Sequence, residues 1–486
     1  MLRWKNILFQ LLIIALFVGI VLLIRLQPIT QTFEFDYDEG FNLMKAFLYS
    51  KGFALYTQIW NDQPPIFTVL LSHWLNIFGN SIFAARFLTL LFSALLIWCF
   101  YQIIRLTLGN LAALVATILL FTSWLYIRLS ISVMIGIPSL TLAMLSIYFL
   151  YLYKQNYRNL YLVLSGSCLA LSLQTKLFTL YLIPLMLFDL LAFQSKFIEE
   201  RKILKIQLKA ISLWLISLVF IYILIGSQYQ QFWNYEQFLG THLNQPSDSR
   251  LENFNNLKYL NYMISQDYDY IFLAFIGIWA IFSKKQKNGL LPITWLVTAT
   301  FILLRHKPIW YHYYPLLAIP ICWLGAYGFD LLRDFFIKKS HVNLNLMNLK
   351  KLTIPYVLIL ILICLIIITP PNPRGSVPKN IELMQMILKY KNSTQWIFTD
   401  NPIYGFYTGL RVPPEIAVMS YKRLNSGDLT STKMLAVLQN YRPEQIILTR
   451  WTSQIKSDRN LMTYISDHYS KTYSNEQEIE EHYVLK

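Results

Sequence analysis

Charged side chains are scarce in this chain of 486 residues, making up only 14% of it. A soluble domain carries roughly 25%, so a string of ordinary soluble domains is excluded. Acidic residues are the scarcer sign, 26 Asp and Glu against 42 Lys and Arg. The 4 cysteines, Cys99, Cys168, Cys322 and Cys364, all lie in apolar runs without CxxC spacing. That excludes a disulfide framework and a cysteine metal site. No Walker loop, GxSxG or HExxH pattern is present, which removes the common nucleotide, hydrolase and zinc-protease signatures. Few stretches are polar enough to be disordered. Runs of acids at mid-membrane depth are also missing, which counts against an ion-coupled transporter.

What is present is apolar. Hydrophobic residues make up 55% of the chain, and the mean hydropathy is +0.42. Repeated apolar runs predict a polytopic α-helical membrane protein with about eleven spans. The first is 7–24, read as a retained span because no small-residue cleavage site closes it. The others are 83–104, 110–126, 133–153, 159–175, 177–193, 210–227, 268–283, 290–304, 313–332 and 352–369. With the N-terminus placed in the cytoplasm, every inside loop is basic, including Lys154 and Arg158, Lys284 to Lys287, and Arg333 to Lys351. The first outside loop is acidic, with Glu34, Asp36, Asp38, Glu39 and Asp62. The formal net charge of +16 is therefore mainly a positive-inside signal. No nucleic-acid partner is implied.

Residues 64–78 are apolar but too short to cross about 30 Å comfortably, and counting them as a span would invert every later loop. They predict a helix lying in the outer interface, and 39–51 predicts a second, with Phe41, Met44, Phe47 and Leu48 on one face. Beyond Pro370 the composition becomes that of a soluble domain. Helical and strand patterns alternate there, with helices at 381–390, 432–439 and 461–468 and strands at 395–399 and 445–449. The expected division is 1–370 for the membrane part and 371–486 for a small outer α/β domain.

Three groups of residues carry chemistry. Asp36-Tyr37-Asp38-Glu39 gathers carboxylates that could act as a general base, bind a metal or hydrogen-bond a substrate. Asp38 would serve equally as a helix N-cap, with Glu39 in the first turn. Asn61-Asp62-Gln63-Pro64-Pro65 opens the second short helix on the same loop. The third group is cationic and opposes the inside trend: Arg86, Arg128, Lys176, Arg305, His306 and Lys307, with His312 close behind. Snorkelling explains isolated cations at a membrane edge. It does not explain Lys176 between two apolar runs, nor cations and histidines mixed with Trp310, Tyr311 and Tyr313. Sugar stacking on the aromatics and anion binding by the cations explain both.

At these motifs the chain resembles the GT-C glycosyltransferases, in the branch of protein O-mannosyltransferases and the lipid A aminoarabinose transferase. An Asp-Glu pair in a long first outer loop precedes Pro64-Pro65. Then come Phe78-Gly79-Asn80-Ser81-Ile82-Phe83-Ala84-Ala85-Arg86-Phe87, Leu173-Gln174-Thr175-Lys176 and Pro308-Ile309-Trp310-Tyr311-His312-Tyr313. The resemblance covers residues 1–370 in order and spacing. It implies an inverting transfer of a sugar, hexose or pentose, from a polyprenyl-phosphate donor to an envelope acceptor (lipid, protein or polysaccharide) outside the plasma membrane. By the resemblance, Asp38 is the catalytic base and Glu39 its neighbour. Arg86, Arg128, Lys176, Arg305, His306, Lys307 and His312 face the donor's lipid phosphate. Asp36, Asp62, Gln63, Trp310, Tyr311 and Tyr313 contact sugar or acceptor. The branch implies no cofactor and no catalytic metal; Asp36 and Asp38 leave divalent-metal dependence open.

Two positions depart from the family. Gln63 stands where a Lys or His usually precedes the two prolines, and Gly136 stands where many relatives have Asp. They motivate a second reading, a silent relative that binds polyprenyl-linked lipid or scaffolds glycan assembly. A transporter of lipid-linked sugar is a third.

Overall fold

A computed structural model describes residues 29–192, 200–234, 255–265, 267–306, 308–339, 379–425 and 427–486, together with 15, 19 and 237. The expected spans at 7–24 (apart from Ala15 and Gly19) and 352–369 lie outside the described residues, as does Lys307.

The membrane part is helical. After α1 (Tyr37–Ser50) and α2 (Ile66–Phe78) come α3 (Ile82–Leu108), α4 (Asn110–Thr122), α5 (Trp124–Ile131), α6 (Gly136–Asn156) and α7 (Asn159–Leu173). There follow α8 (Leu182–Leu191), α9 (Glu200–Gln228), α10 (Asn256–Ser265), α11 (Tyr268–Ser283), α12 (Leu290–Arg305) and α13 (Pro315–Lys339). Among the described residues, 5 segments are long and apolar enough to cross a membrane: Ile82–Leu108, Gly136–Asn156, Leu204–Gln228, Lys287–Arg305 and Tyr311–Phe335. A pair bent by 78°, Asn110–Thr122 with Leu125–Ile131, makes a sixth if it is one span. The expected spans at 159–175, 177–193 and 268–283 are apolar helices of 10–17 residues, shorter than the roughly 20 of a comfortable crossing.

The bend was not expected from the unbroken apolar run. It falls at Ser123, whose hydroxyl donates to Asp267 at 2.7 Å; Tyr314 donates to the same carboxylate oxygen. A hydrogen-bonded side chain thus holds the break in place, as kinked membrane helices require. Elsewhere the bundle closes through small residues. A Cβ on Gly277 would lie 1.9 Å from the Leu324 carbonyl oxygen, and one on Gly328 would lie 2.2 Å from that of Leu273. Only glycine lets α11 and α13 approach so closely. Trp214, Trp295 and Trp323 fill the interior and are fully buried.

Residues 379–486 form the expected α/β unit. Its helices include α14 (Ile381–Lys389), α15 (Ile403–Thr408), α16 (Tyr421–Asn425), α17 (Ser431–Tyr441), α18 (Thr452–Lys456) and α19 (Arg459–His468). Its strands are β1 (Ile397–Thr399), β2 (Gln445–Leu448), β3 (Tyr469–Ser474) and β4 (Glu481–Leu485), in sheet order β1-β2-β4-β3. The first pair is parallel and the other two antiparallel. The closing hairpin was missed because its Ser, Lys, Thr and Glu residues leave it little apolar alternation.

One expectation is overturned. α1 is not an interfacial helix with a lipid face, because every residue from Glu39 to Leu48 is buried. It is sandwiched between the bundle and the C-terminal unit. Phe47 meets Phe406 edge-on at 6.3 Å, and Phe33 stacks on Tyr407 at 4.9 Å. The Tyr407 hydroxyl donates to the Phe33 carbonyl, and Asn401 donates to Glu34. Burying Phe41, Leu43, Met44, Phe47 and Leu48 stabilises this docking by about 1.5–3 kcal/mol per side chain as an upper estimate. α2 keeps more of the expected character, with Ile77 and Phe78 exposed.

Candidate functional site

Each residue of the acidic motif has a distinct position. Asp36, not Asp38, caps α1, accepting the Asp38 N–H at 3.2 Å. Capping is thus discharged without the Asp38 carboxylate, which keeps 45% of its side-chain surface open.

Glu39 turns the other way, into the protein. Its Oε1 accepts from Arg86 Nε at 2.9 Å and from the Val133 N–H at 3.1 Å. Its Oε2 accepts from Arg86 Nη2 at 2.8 Å and from the Phe35 N–H at 3.0 Å. Arg86 spends its remaining donors on the carbonyls of Ile29, Thr32 and Phe33. Four acceptor sites and five donors are a full complement for this pair. The expected catalytic part for Glu39 and the phosphate contact for Arg86 are therefore corrected: no lone pair or N–H is left for substrate. Together they tie the first loop to α3 and to the extended segment before Gly136.

The open Asp38 carboxylate is met by His312 and lies in the field of Lys176. His312 Nδ1 lies 4.0 Å from Asp38 Oδ2. That nitrogen is buried and has no hydrogen-bond partner among the described residues. Lys176 Nζ lies 4.9 Å from the ring centres of both Phe178 and Tyr313. Its position is set by the tight link after α7, where the Lys176 N–H donates to the Ser172 carbonyl at 2.9 Å. The His306 ring reaches the Tyr313 hydroxyl at 3.4 Å. Arg128 donates to the Phe35 carbonyl and lies near Asp36.

The environment shifts these groups. Protein packed around Asp38 raises its pKa above the usual carboxylate range, with Asp62 adding to the rise and Arg450, Lys176 and Lys45 opposing it. Asp36 is pushed up to about 6, by burial first and then by Asp38. Lys176 is pushed down to about 8 by burial, against the pull of Asp38, Asp62 and Asp36. Carboxylates and ammonium are thus moved toward neutral pH from opposite sides, as acid–base sites require.

The remaining expected residues divide. Asp62 shares the field of Lys45, Lys176 and Lys422. The Gln63 carbonyl accepts from Tyr56 and from Asn61, both at 2.7 Å, which fixes the turn before Pro64. Trp310 and Tyr311 pack on Tyr259 at 5.9 and 5.6 Å, so part of their ring surface is used within the protein. Arg305 is exposed and lies against the exposed Phe301 ring on the outer surface of the bundle. Gly136 lies beside the His312 backbone, and a Cβ there would meet that carbonyl at an ordinary 3.7 Å. Among the described residues, no group of three or more His, Cys, Asp or Glu could hold a metal ion.

Two groups were missed. Lys45 is buried and donates to Asn61 at 3.0 Å, facing Asp38 and Asp62. Helical spacing could have found it, since Asp38, Asn42 and Lys45 fall on one face. Arg450 could not have been found, because it comes from the C-terminal unit. Its guanidinium lies 4.1 Å over the Tyr37 ring.

Comparison with known proteins follows this geometry. Residues 62–224 match the model of the family described as dolichyl-phosphate-mannose-protein mannosyltransferase. A search of curated proteins gives no match. Among solved structures, the chain is similar to ArnT from Cupriavidus metallidurans bound to undecaprenyl phosphate. That likeness has a TM-score of 0.65 at 11% identity and covers 96% of this chain and 97% of that one. It is also similar to the oligosaccharyltransferase of Archaeoglobus fulgidus tethered to an acceptor peptide, with TM-score 0.57, 11% identity, and coverage of 100% and 75%. The archaeal oligosaccharyltransferase AglB from Archaeoglobus fulgidus, in complex with an inhibitory peptide and a dolichol-phosphate, gives a TM-score of 0.53 and 12% identity over 99% and 75%. These findings bear out the resemblance read from the sequence. The chain has the GT-C fold of this branch and is a membrane protein.

Proposed function

We propose that this protein is an integral-membrane glycosyltransferase that moves a sugar from a polyprenyl-phosphate donor to an acceptor in the cell envelope. The observation that carries this reading is the open Asp38 carboxylate, set 4.0 Å from His312 and within the field of Lys176. In this reading the base and the residues that bind the phosphate stand beside one another. The family match and the GT-C fold support the same class of reaction.

In this reading Asp38 takes the proton from the acceptor hydroxyl as the sugar carbon gains oxocarbenium character. Attack from the face opposite the phosphate inverts the anomeric carbon. The leaving lipid phosphate gains charge, which Lys176 and His312 stabilise, with His306 and Arg128 behind them. Transfer assayed with and without excess EDTA tests whether a divalent ion takes part. The basic loops support a site on the extracytoplasmic side of the plasma membrane, with the N-terminus inside and an outer C-terminal domain beginning near residue 370. The Lys154–Asp189 pair lies at the C-terminal end of α6, opposite the end that carries Gly136, and supports the same orientation.

The experiment is Asp38→Asn in the full chain, reconstituted with mannosyl undecaprenyl phosphate as the donor probe and scored with envelope extracts. Loss of transfer by about 100-fold or more is expected for removal of a general base. Unchanged transfer in the variant would remove Asp38 as the base, and no transfer by the wild-type chain would favour the silent, lipid-binding reading that Gln63 and Gly136 motivate.

A further inference from the structure

The C-terminal unit does more than dock on the first loop. At the end of β2, the Asp400 carboxylate accepts three successive backbone N–H groups: Thr449 at 2.9 Å, Arg450 at 2.8 Å and Trp451 at 2.6 Å. The Trp451 indole donates to the Met419 carbonyl at 3.0 Å. This clamp fixes the backbone that carries Arg450. The side chain then crosses to the membrane part. Its guanidinium lies 4.1 Å from the Tyr37 ring, 4.9 Å from Trp451 and 5.4 Å from Phe41. Tyr37 is the residue between Asp36 and Asp38.

Arg450 is held by ring faces, and its Nη1 is buried without an acceptor among the described residues. Arginine in a protein interior is normally spent on a carboxylate, as Arg86 is on Glu39. Here the charge is held beside carboxylates and not consumed by any one of them. Stacking on aromatics is the arrangement that permits this.

We propose that Arg450 is a positioning residue of the catalytic cleft, through which the C-terminal unit supplies the positive field that holds Asp38 as an anion ready to act as base. The proposal rests on the reading of Asp38 given above. The groups that face Asp38 define the balance. Lys176, Lys45 and Arg450 favour its anion, and Asp62 opposes it. Asp36 shares its proton equilibrium. His312 and Tyr313 line the same side. Lys176 and Lys45 are themselves drawn down by burial. Arg450 differs from both lysines in carrying its charge on a planar guanidinium held by ring faces.

The test reads Asp38 directly. Full-length protein in nanodiscs is treated with a water-soluble carbodiimide and an amine tag between pH 4 and 9, and labelling at Asp38 is mapped by mass spectrometry. Only protonated carboxyls react readily. In Arg450→Met the labelling midpoint is expected to rise by about one pH unit, the effect of removing one nearby opposite charge. Arg450→Lys should restore it. An unmoved midpoint in Arg450→Met overturns the proposal, whatever happens to sugar transfer. A raised midpoint with transfer unaffected at every pH would instead sink Asp38 as the base. If Arg450→Met does not fold, Arg450→Gln takes the same measurement with the same two outcomes.

Discussion

Glu39 and Arg86 form an ion pair at 2.8 Å in which neither side chain is exposed to solvent. Adjacent carboxylates, Asp38 and Glu39, thus have opposite employments, one left open beside His312 and the other locked into the scaffold. The difference follows from helix geometry: successive side chains on α1 point about a quarter-turn apart, so one stays accessible and the next meets α3.

Breaking this pair should damage the fold before the chemistry. Glu39→Gln or Arg86→Met strands a buried charge or its donors and is expected to cost about 3–5 kcal/mol. Thermal unfolding in detergent should show a clear loss of stability for both. Asp38→Asn should unfold with wild-type protein, because its side chain is open.

Gly40 is the second structural element of the motif. A Cβ there would lie 2.8 Å from Glu34 Oε1 and 3.0 Å from the Ile403 backbone nitrogen. Gly40→Val is therefore expected to push α15 away from α1, at about 1–3 kcal/mol for overpacking. Limited proteolysis should then release the C-terminal unit sooner than in wild type.

Lys176 sets a pH dependence on the alkaline side. Its pKa is drawn down to about 8 by burial, and a phosphate is held by the charged form. Affinity for undecaprenyl phosphate should be full below that value and fall as pH rises through it. Lys176→Met should bind about tenfold or more weakly, as loss of one charge-assisted contact implies, and its affinity should be flat across the same range. A calorimetric titration series from pH 6 to 9.5 separates the two.

The acidic side is governed by Asp36 and Asp38, which titrate as a coupled pair. Asp36 is raised to about 6 and Asp38 is raised with it, chiefly by burial. A base must be deprotonated, so kcat/KM should begin to fall on the acid side at a higher pH than an ordinary carboxylate would set. An isolated carboxylate would hold activity down to about 4. Asp36→Asn removes the neighbouring charge and should move the acid limb downward, with the cap of α1 retained by the amide oxygen.

Much of this was legible in the residues. Long apolar runs located α3, α6 and α13 because hydrophobic length is a local property. The motif residues Asp38, Lys176 and His312 were singled out because charge at a membrane edge is expensive and so informative. What escaped depends on pairs distant in sequence. Glu39 and Arg86 looked like site residues because their mutual saturation is invisible until α1 is laid on α3. The break at Ser123 was hidden because its partner, Asp267, lies beyond six further helices. α1 was read as a membrane-surface helix from its apolar face, since nothing local announces that a second unit covers it. Arg450 sits in a stretch of soluble character, where a lone arginine carries no signal.

The contact between Tyr37 and Arg450 also orders events during synthesis. The acidic motif leaves the ribosome long before its covering cation. Strand β2, just ahead of Arg450, pairs with β4, which is made later still. A nascent chain that already holds the acidic motif therefore lacks the Arg450 contact until this sheet forms. Under the proposed reading, the field at Asp38 is completed late, by the pairing of β2 with β4.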